Sequence, residues 1–439
     1  MPLPRLWSPQ DADIFKLAIP ALGSLAAEPL YVLTDTAIVG HLGAGPLAGL
    51  ALAGVLLSGV MALCNFLAYA TTAQVGRSAA GGDAAAVRNM ASGALWLAGT
   101  LGAVFIALGV LAGPQALAFI GGEGEVAARA AVYLQIGVFG LPFALIALAG
   151  QGVLRGVEDL KTPLYFIAGG NALNVVLEVL FVYGFGWGLA GSASATVLAQ
   201  AVMGAGFIVK LVRLTGGAGL PTLASMRPLL RMSSQIFVRT GALYGSFLVM
   251  SAALAHVGPA SLGAHQVLFQ LWWFLALALD SIAIAGQVLV SRALGANDGP
   301  GAVAAANRMI AWSVLIGFGF AAGMLALAGP LPQVFTADAE VLERIQAAWV
   351  IFALMQPLNG AVFAMDGILI GAGDSRFMMW ATLAAACIAI PLTGVSYALG
   401  AGIEGVWLAI SALIVVRLAA MSARYAGRRW VVTGAASAR

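Results

Sequence analysis

Long apolar runs recur along the whole chain, separated by short clusters of Gly, Pro and charged residues. An α-helix needs roughly 20 residues to cross the hydrocarbon core of a bilayer, and each run is long enough. Read between their punctuation, the runs predict helices near residues 14–40, 46–72, 88–112, 127–150, 163–185, 188–212, 229–255, 261–289, 307–329, 342–366, 376–399 and 403–424. No alternation of period two competes with this pattern, so the fold class is an all-α integral membrane protein with twelve transmembrane helices. Composition agrees: 61% of residues are hydrophobic and 9% charged, and the mean hydropathy is +0.97, outside the range of soluble domains. Asp11 and Asp13 precede the first run, which is too long for a signal-peptide core, so the first helix is expected to be retained.

Lys and Arg set the orientation. Arg77, Arg155, Lys161, Lys210, Arg231, Arg292, Arg308, Arg376 and the tail residues Arg424, Arg428 and Arg429 fall on one side, and the opposite loops carry only Arg129 and Arg344. The positive-inside rule then puts both termini of this multi-pass chain on the cytoplasmic side, and the cell (inner) membrane is its expected location. The net charge of +3 is mostly this bias and indicates no nucleic-acid partner.

The pattern also repeats. A shift of 215 residues aligns His41-Leu42-Gly43 with His256-Val257-Gly258, Glu125 and Arg129 with Glu340 and Arg344, and Pro142 with Pro357. The same shift lays Q-G-V-L-R-G-V-E-D, residues 151–159, on D-G-I-L-I-G-A-G-D, residues 366–374. The chain thus reads as a duplicated six-helix unit whose copies, each with an even number of spans, insert in the same orientation as parallel, pseudo-twofold-related repeats. The expected division is an N-terminal lobe at 1–212, a Gly/Pro-rich cytoplasmic linker at 213–228 and a C-terminal lobe with a short basic tail at 229–439.

L-T-D-T-A-I-V-G-H-L-G in helix 1, G-V-L-R-G-V-E-D-L-K-T-P after helix 4 and A-H-Q-V-L-F-Q-L-W-W-F-L-A-L-A-L-D-S-I-A-I-A-G-Q in helix 8 resemble the multidrug and toxic compound extrusion (MATE) transporters, in particular their DinF-like branch. The resemblance covers nearly the whole chain. It implies two six-helix lobes arranged in a V and an antiporter that exports organic cations, drugs and other amphipathic small molecules in exchange for protons or sodium. A monomer in the lipid bilayer is expected, with no cofactor beyond the coupling ion.

A charge at bilayer depth costs roughly 2.5–3.5 kcal/mol even on conservative scales, so such residues face protein or water. Asp35 in helix 1, Asn174 and Glu178 in helix 5 and Thr196 in helix 6 lie at comparable depth in the outer half of the first lobe, and the spacing predicts one polar pocket. The duplication supplies a control: the shift of 215 places Met250, Ala389, Thr393 and Ser411 opposite them. Both acids are absent from the second copy, so the pair serves a task that only one lobe performs. In the MATE family the matching residues are associated with binding the coupling cation, although relatives often have Asp where this chain has Glu178. The oxygen set suits a proton or a sodium ion, and no other metal. A carboxyl held only by hydrogen bonds to Asn174 and Tyr31 is the alternative.

Other intramembrane polar residues read less sharply. Glu28 lies on the Asp35 face, followed by Pro29, and lines either a substrate path or a watery cleft; Tyr31, Met250, His265 and Gln266 are the other candidates for a substrate cavity, though a lone His265 reads more readily as a packed residue than as a proton carrier. Pro29 and Pro20 are candidate hinges, since each removes a helical hydrogen bond. Arg239 and Asp280 stand at equal depth with opposite sign and are expected to form a structural ion pair, with a cytoplasmic gate or a site for a polar substrate as the functional alternative, while Arg417 is expected to snorkel inward. Cys64 and Cys387 read as small core residues. No phosphate-binding G-x-x-x-x-G-K-[ST] run and no His/Cys ligand cluster is present, which argues against an ATPase or metalloenzyme. A flippase for lipid-linked precursors shares a similar helical plan and is the rival transporter reading.

Cysteines introduced singly at Gly82, Gly299 and Gly427 are expected to react with an impermeant maleimide only from the cytoplasmic side, and those at Gly122 and Ala337 only from outside. An externally labelled C-terminus would reverse the assigned depths.

Overall fold

The computed structural model describes residues 9–217, 221 and 223–434, and every regular element among them is helical. The first repeat comprises α1 (Pro9–Gly40), α2 (Ala44–Cys64), α3 (Phe66–Ala80), α4 (Ala84–Phe119), α5 (Gly124–Gly137), α6 (Leu141–Gly156), α7 (Lys161–Val179) and α8 (Gly188–Thr215). The second comprises α9 (Leu223–Val257), α10 (Pro259–Gly295), α11 (Gly299–Ala326), the short α12 (Pro330–Gln333), α13 (Ala339–Leu354), α14 (Gln356–Gly371), α15 (Ser375–Ala398) and α16 (Gly402–Ala426). Segments α2 with α3 and α5 with α6 each continue as one span, so eleven runs among the described residues are long and apolar enough to cross a membrane, and α13 with α14 completes twelve as a span bent by 50°. The bend was not expected within 342–366. Its cause is local: Pro357 occupies the first turn of α14, where its missing N–H and fixed φ restart a helix rather than continue one. Pro142 opens α6 in the same way, after a single 3₁₀ turn at Val138–Gly140.

The duplication is visible in packing. Asp83 caps α4 by accepting from the Ala86 N–H at 2.8 Å, and its repeat counterpart Asp298 caps α11 from Gly301 at 2.8 Å. Gly82 (φ +74°) and Asn297 (φ +62°) make the same left-handed turn before them. A methyl group added at Gly102 would lie 2.5 Å from Pro142 Cα, and one at Gly317 would lie 2.5 Å from the Gln356 carbonyl and 2.7 Å from Pro357 Cα. Likewise Gly152 and Gly367 press on the carbonyls of Ala68 and Ala283. Small residues that let backbones meet are what hold helices together in lipid, where burial of apolar surface offers no drive.

Each repeat also fastens its fourth loop to its last helix. Asp159 accepts from Thr162 and lies 3.4 Å from Lys210 on α8, and Asp374 accepts from Arg424 on α16 at 2.6 and 3.1 Å. Partial burial alone would raise the Asp159 carboxyl, but the hydrogen bonds from Thr162 and Lys210 outweigh it and hold the group below its ordinary range. Around Asp374 burial prevails over Arg424 and raises it.

The chain divides into two compact units, Gly23–Ser233 and Met1–Leu22 with Ser234–Arg439. These differ from the halves expected from sequence at one place in each repeat: the start of α1 packs with the second repeat, and the start of α9 with the first. Side-chain chemistry explains both. Asp11, fully buried, accepts from the Arg308 guanidinium and from Trp312 Nε1 at 2.8 Å, and Phe15 meets Trp312 edge-on at 5.0 Å. In α9 the counterpart of Asp11 is Met226, which faces Gly93, the counterpart of Arg308, and Met232 accepts a weak hydrogen bond from Gln74 at 3.5 Å. One contact is ionic and the other apolar, at equivalent positions. Of the linker at 213–228, residues 218–220 and 222 lie outside the described residues, as does 435–439 of the basic tail; α8 runs to Thr215 and ends at Gly216 with φ +73°, and α9 begins at Leu223. Cys64 is buried as expected, but Cys387 is exposed, because it lies on an outward face of α15 rather than in the core.

Gly317→Ala and Gly102→Ala are expected to lower stability by about 1–3 kcal/mol, the usual cost of an added methyl in a close-packed contact. Gly319→Ala, where nothing lies within 4 Å, is expected to be neutral or to gain up to ~1 kcal/mol from helix propensity. Thermal unfolding of the three variants in one detergent checks the contrast.

Candidate functional site

Within the unit Gly23–Ser233, α1, α7 and α8 bring four expected residues together. The Asn174 side-chain N–H donates to Thr196 Oγ1 at 3.1 Å, and the Tyr31 hydroxyl lies 3.1 Å from the same oxygen. Asp35 is 6% exposed and accepts at Oδ1 from Ser192 Oγ at 2.8 Å. Glu178 is fully buried beside Asp35 and Ser192, and no donor reaches either of its carboxyl oxygens in hydrogen-bond geometry. The Asn174 carbonyl oxygen is also buried and unpartnered.

Local helix geometry produces this convergence. Asn174 and Glu178 are one turn apart on α7, Ser192 and Thr196 one turn apart on α8, and Tyr31 and Asp35 one turn apart on α1, so each helix presents two polar groups on one face. Immediately after Glu178 the backbone relaxes into a π turn at Leu180–Gly184, closed by Phe185 N–H to Leu180 C=O at 2.9 Å. Such turns re-aim side chains and concentrate at functional sites. Tyr183 in that turn donates to the Ile38 carbonyl at 2.7 Å, and Asn171 donates to Ala27 at 2.9 Å, so α7 is tied to α1 on both sides of the pocket.

Two members were missed from the sequence. Ser192 had a signal, the i, i+4 spacing with Thr196. Tyr133 on α5, 4% exposed and beside Tyr31, Asp35, Glu178 and Thr196, had none, since an aromatic residue in a span reads as core.

The remaining candidates are dispersed. Glu28 is exposed and makes no hydrogen bond or ion pair among the described residues. Glu28 and Tyr31 belong to one unit, and Met250, His265 and Gln266 to the other. Met250 is fully buried and Gln266 exposed. His265 is buried, with Nε2 3.0 Å from Ser251 Oγ, its ring stacked 5.4 Å from Phe269 and meeting Trp407 edge-on at 5.8 Å, the environment of a packed residue. Helix α1 runs unbroken past Pro20 and Pro29, and the boundary between units falls between them.

Arg239 does not take Asp280 as its partner. It donates to Asp366 on α14, and Arg417, rather than snorkelling, donates to the same carboxylate oxygen at 2.7 Å. Equal depth identified Arg239 as needing an acid, but depth alone does not tell which face of a helix an acid is on.

A family model, MatE, matches residues 20–180 and again 236–395, one match per repeat. Protein DETOXIFICATION 44, chloroplastic, from Arabidopsis thaliana is 28% identical over 93% of this chain and 81% of its own. DNA damage-inducible protein F of Escherichia coli is 28% identical over 96% and 93%. A crystal structure of MATE in the bent conformation aligns over 96% of this chain and 95% of that one with a TM-score of 0.87 at 19% identity, which establishes the fold. With a family match in each repeat covering most of the sequence, on a helical membrane fold shared across its length, this chain belongs to the MatE family of multidrug and toxic compound efflux transporters.

Proposed function

We propose that this transporter is an antiporter of the cell membrane, with both termini cytoplasmic and a single chain as the working unit, and that cation entry at Asp35, Asn174, Glu178 and Thr196 drives export of amphipathic or cationic small molecules. The observation that carries the reading is Glu178: a carboxyl group buried in a membrane unit, beside a second acid, with both oxygens unpartnered. An isolated buried carboxylate is costly enough that it is neutralised or paired. Among the described residues no basic side chain does this for Glu178, so the missing partner is exchangeable.

A proton shared between Asp35 and Glu178 removes the repulsion between two neighbouring acids. A sodium ion would take both carboxylates, the free Asn174 carbonyl oxygen and the Thr196 hydroxyl; Ser192 supplies a further oxygen. Proton coupling is the primary reading because two acids face each other without any base, and sodium is the variant. For the ion to perform work it must bind two arrangements of the protein unequally. Helix α1 is the element that links binding to rearrangement, since it carries Asp35 and both candidate hinge prolines, Pro20 and Pro29. When the carboxyl pair is neutral its pocket closes dry; when charged, it must hydrate.

Asp35→Asn preserves shape but fixes the neutral state. It is expected to insert normally and bind substrate, while gradient-driven export falls by at least about tenfold; Glu178→Gln is expected to behave alike, and Met250→Asp to restore nothing. The measurement is efflux in everted vesicles with pH and sodium gradients imposed separately, at matched expression. Coupling as tight as in the parent would remove Asp35 from the cation site.

A further inference from the structure

In the second unit, three helices converge on a cluster that the cation reading does not use. Asp366 on α14 receives Arg239 from α9 and Arg417 from α16, both on its Oδ2 oxygen. Their side chains are only 10% (Arg239), 12% (Asp366) and 5% (Arg417) exposed. Two guanidiniums against one carboxylate leave one positive charge over, deep in a membrane protein. Three of the polar atoms are idle: Asp366 Oδ1, Arg239 Nε and Arg417 Nε are buried without a hydrogen-bond partner.

A purely structural account does not require this composition. A single Arg–Asp pair would be neutral, and a buried ion pair is already a weak stabiliser against apolar packing; a second guanidinium adds desolvation cost without adding an acid to match it. Nor does the six-helix unit need the cluster. Under the shift of 215 the counterparts of Arg239, Asp366 and Arg417 are Ser24, Gln151 and Val202, none of them charged. Arg417 lies nine residues before the end of α16 at Ala426, about 14 Å from that end at ~1.5 Å per residue, and Asp366 lies five before the end of α14 at Gly371. The cluster is therefore well inside the span, on the side that carries the basic loops. Arginine is the residue suited to such a site, because its planar fork takes a carboxylate or phosphate on two parallel N–H groups and is less strongly hydrated than an ammonium.

We propose that Arg239, Arg417 and Asp366 form a binding site for one anionic group, the carboxylate or phosphoryl end of an amphipathic ligand, whose charge balances the surplus guanidinium. Asp366 holds the two arginines in register while the site is empty, and the ligand engages the idle Nε edges. This rests on reading the chain as an efflux transporter, but binding without any gradient tests it separately from coupling at Asp35.

The test is equilibrium binding of two dyes with a common xanthene frame, carboxyfluorescein as the anion and tetramethylrosamine as the cation, to purified full-length protein in phosphatidylcholine nanodiscs. Arg417→Gln is the first variant, because it leaves a neutral Arg239–Asp366 pair and removes only the surplus. It is expected to weaken the anionic dye by at least about tenfold, the scale of one lost charge-assisted hydrogen bond, with the cationic dye unchanged. Arg417→Lys keeps the charge without the fork and is expected to weaken the anion by about three- to tenfold; it decides the matter if Arg417→Gln does not fold. Addition of phosphatidylglycerol separates the sources of the anion: competition with the dye in the parent but not in Arg417→Gln assigns the site to a lipid headgroup, and absence of competition assigns it to a soluble organic acid. Equal loss of both dyes, or an anion affinity unchanged in the two variants, would overturn the proposal.

Discussion

In hydrocarbon a charged or polar group has no water to fall back on, and each one must be satisfied by the protein or by something the protein binds. That constraint sorts the polar residues of this chain into two classes. Groups common to both repeats, the caps Asp83 and Asp298 and the loop acids Asp159 and Asp374, have their partners within the fold and build the six-helix unit. Other groups are peculiar to one repeat; some, such as Asp11 with Arg308 and Trp312, are paired within the fold, and two clusters are left with unfilled valences. In the first, Glu178 and the Asn174 carbonyl are unpartnered; in the second, the two Nε groups and Asp366 Oδ1 are. The first cluster is built of acids without a base beside them, and the second has two guanidiniums to one carboxylate. A duplicated scaffold thus carries two polar clusters of unlike composition, one built around two acids and the other around two arginines and one acid.

Much of this was legible in the sequence because bilayer depth is a linear coordinate. Span length, loop charge and residue count place Asp35, Asn174, Glu178 and Thr196 at one level, and the second copy shows which of them the unit can do without. What a linear coordinate lacks is azimuth. Arg239 was assigned Asp280 because the two share a level, whereas the acid on the facing side of a neighbouring helix is Asp366; that residue stood in the aligned motif at 366–374 and passed as part of the repeat. Tyr133 was invisible for a different reason, since its hydroxyl matters only once α5 is seen against α1. The bend at Met355 was written in Pro357, yet a proline in a span predicts a kink only when the neighbouring helices leave room for one.

The reciprocal placement of the two first helices could not be read from hydropathy at all. Residues 10–22 and 223–233 look like ordinary beginnings of spans, and only the pairing of Asp11 with Arg308 and Trp312, and of Met226 with the Gly93 surface, reveals their allegiance.

That exchange bears on how such a protein can change over generations. Recombination between relatives is tolerated best where few contacts are severed, and the natural crossover point in a tandem duplication is the joint between copies. Here a crossover at that joint would deliver α1 with its buried Asp11 from one parent and Arg308 from another, and set a foreign Met226 on a resident Gly93. The two copies are therefore bound to a common lineage by the first turns of two helices, and each half can diverge in its polar cluster, one acidic and one basic, only while those footholds are inherited together.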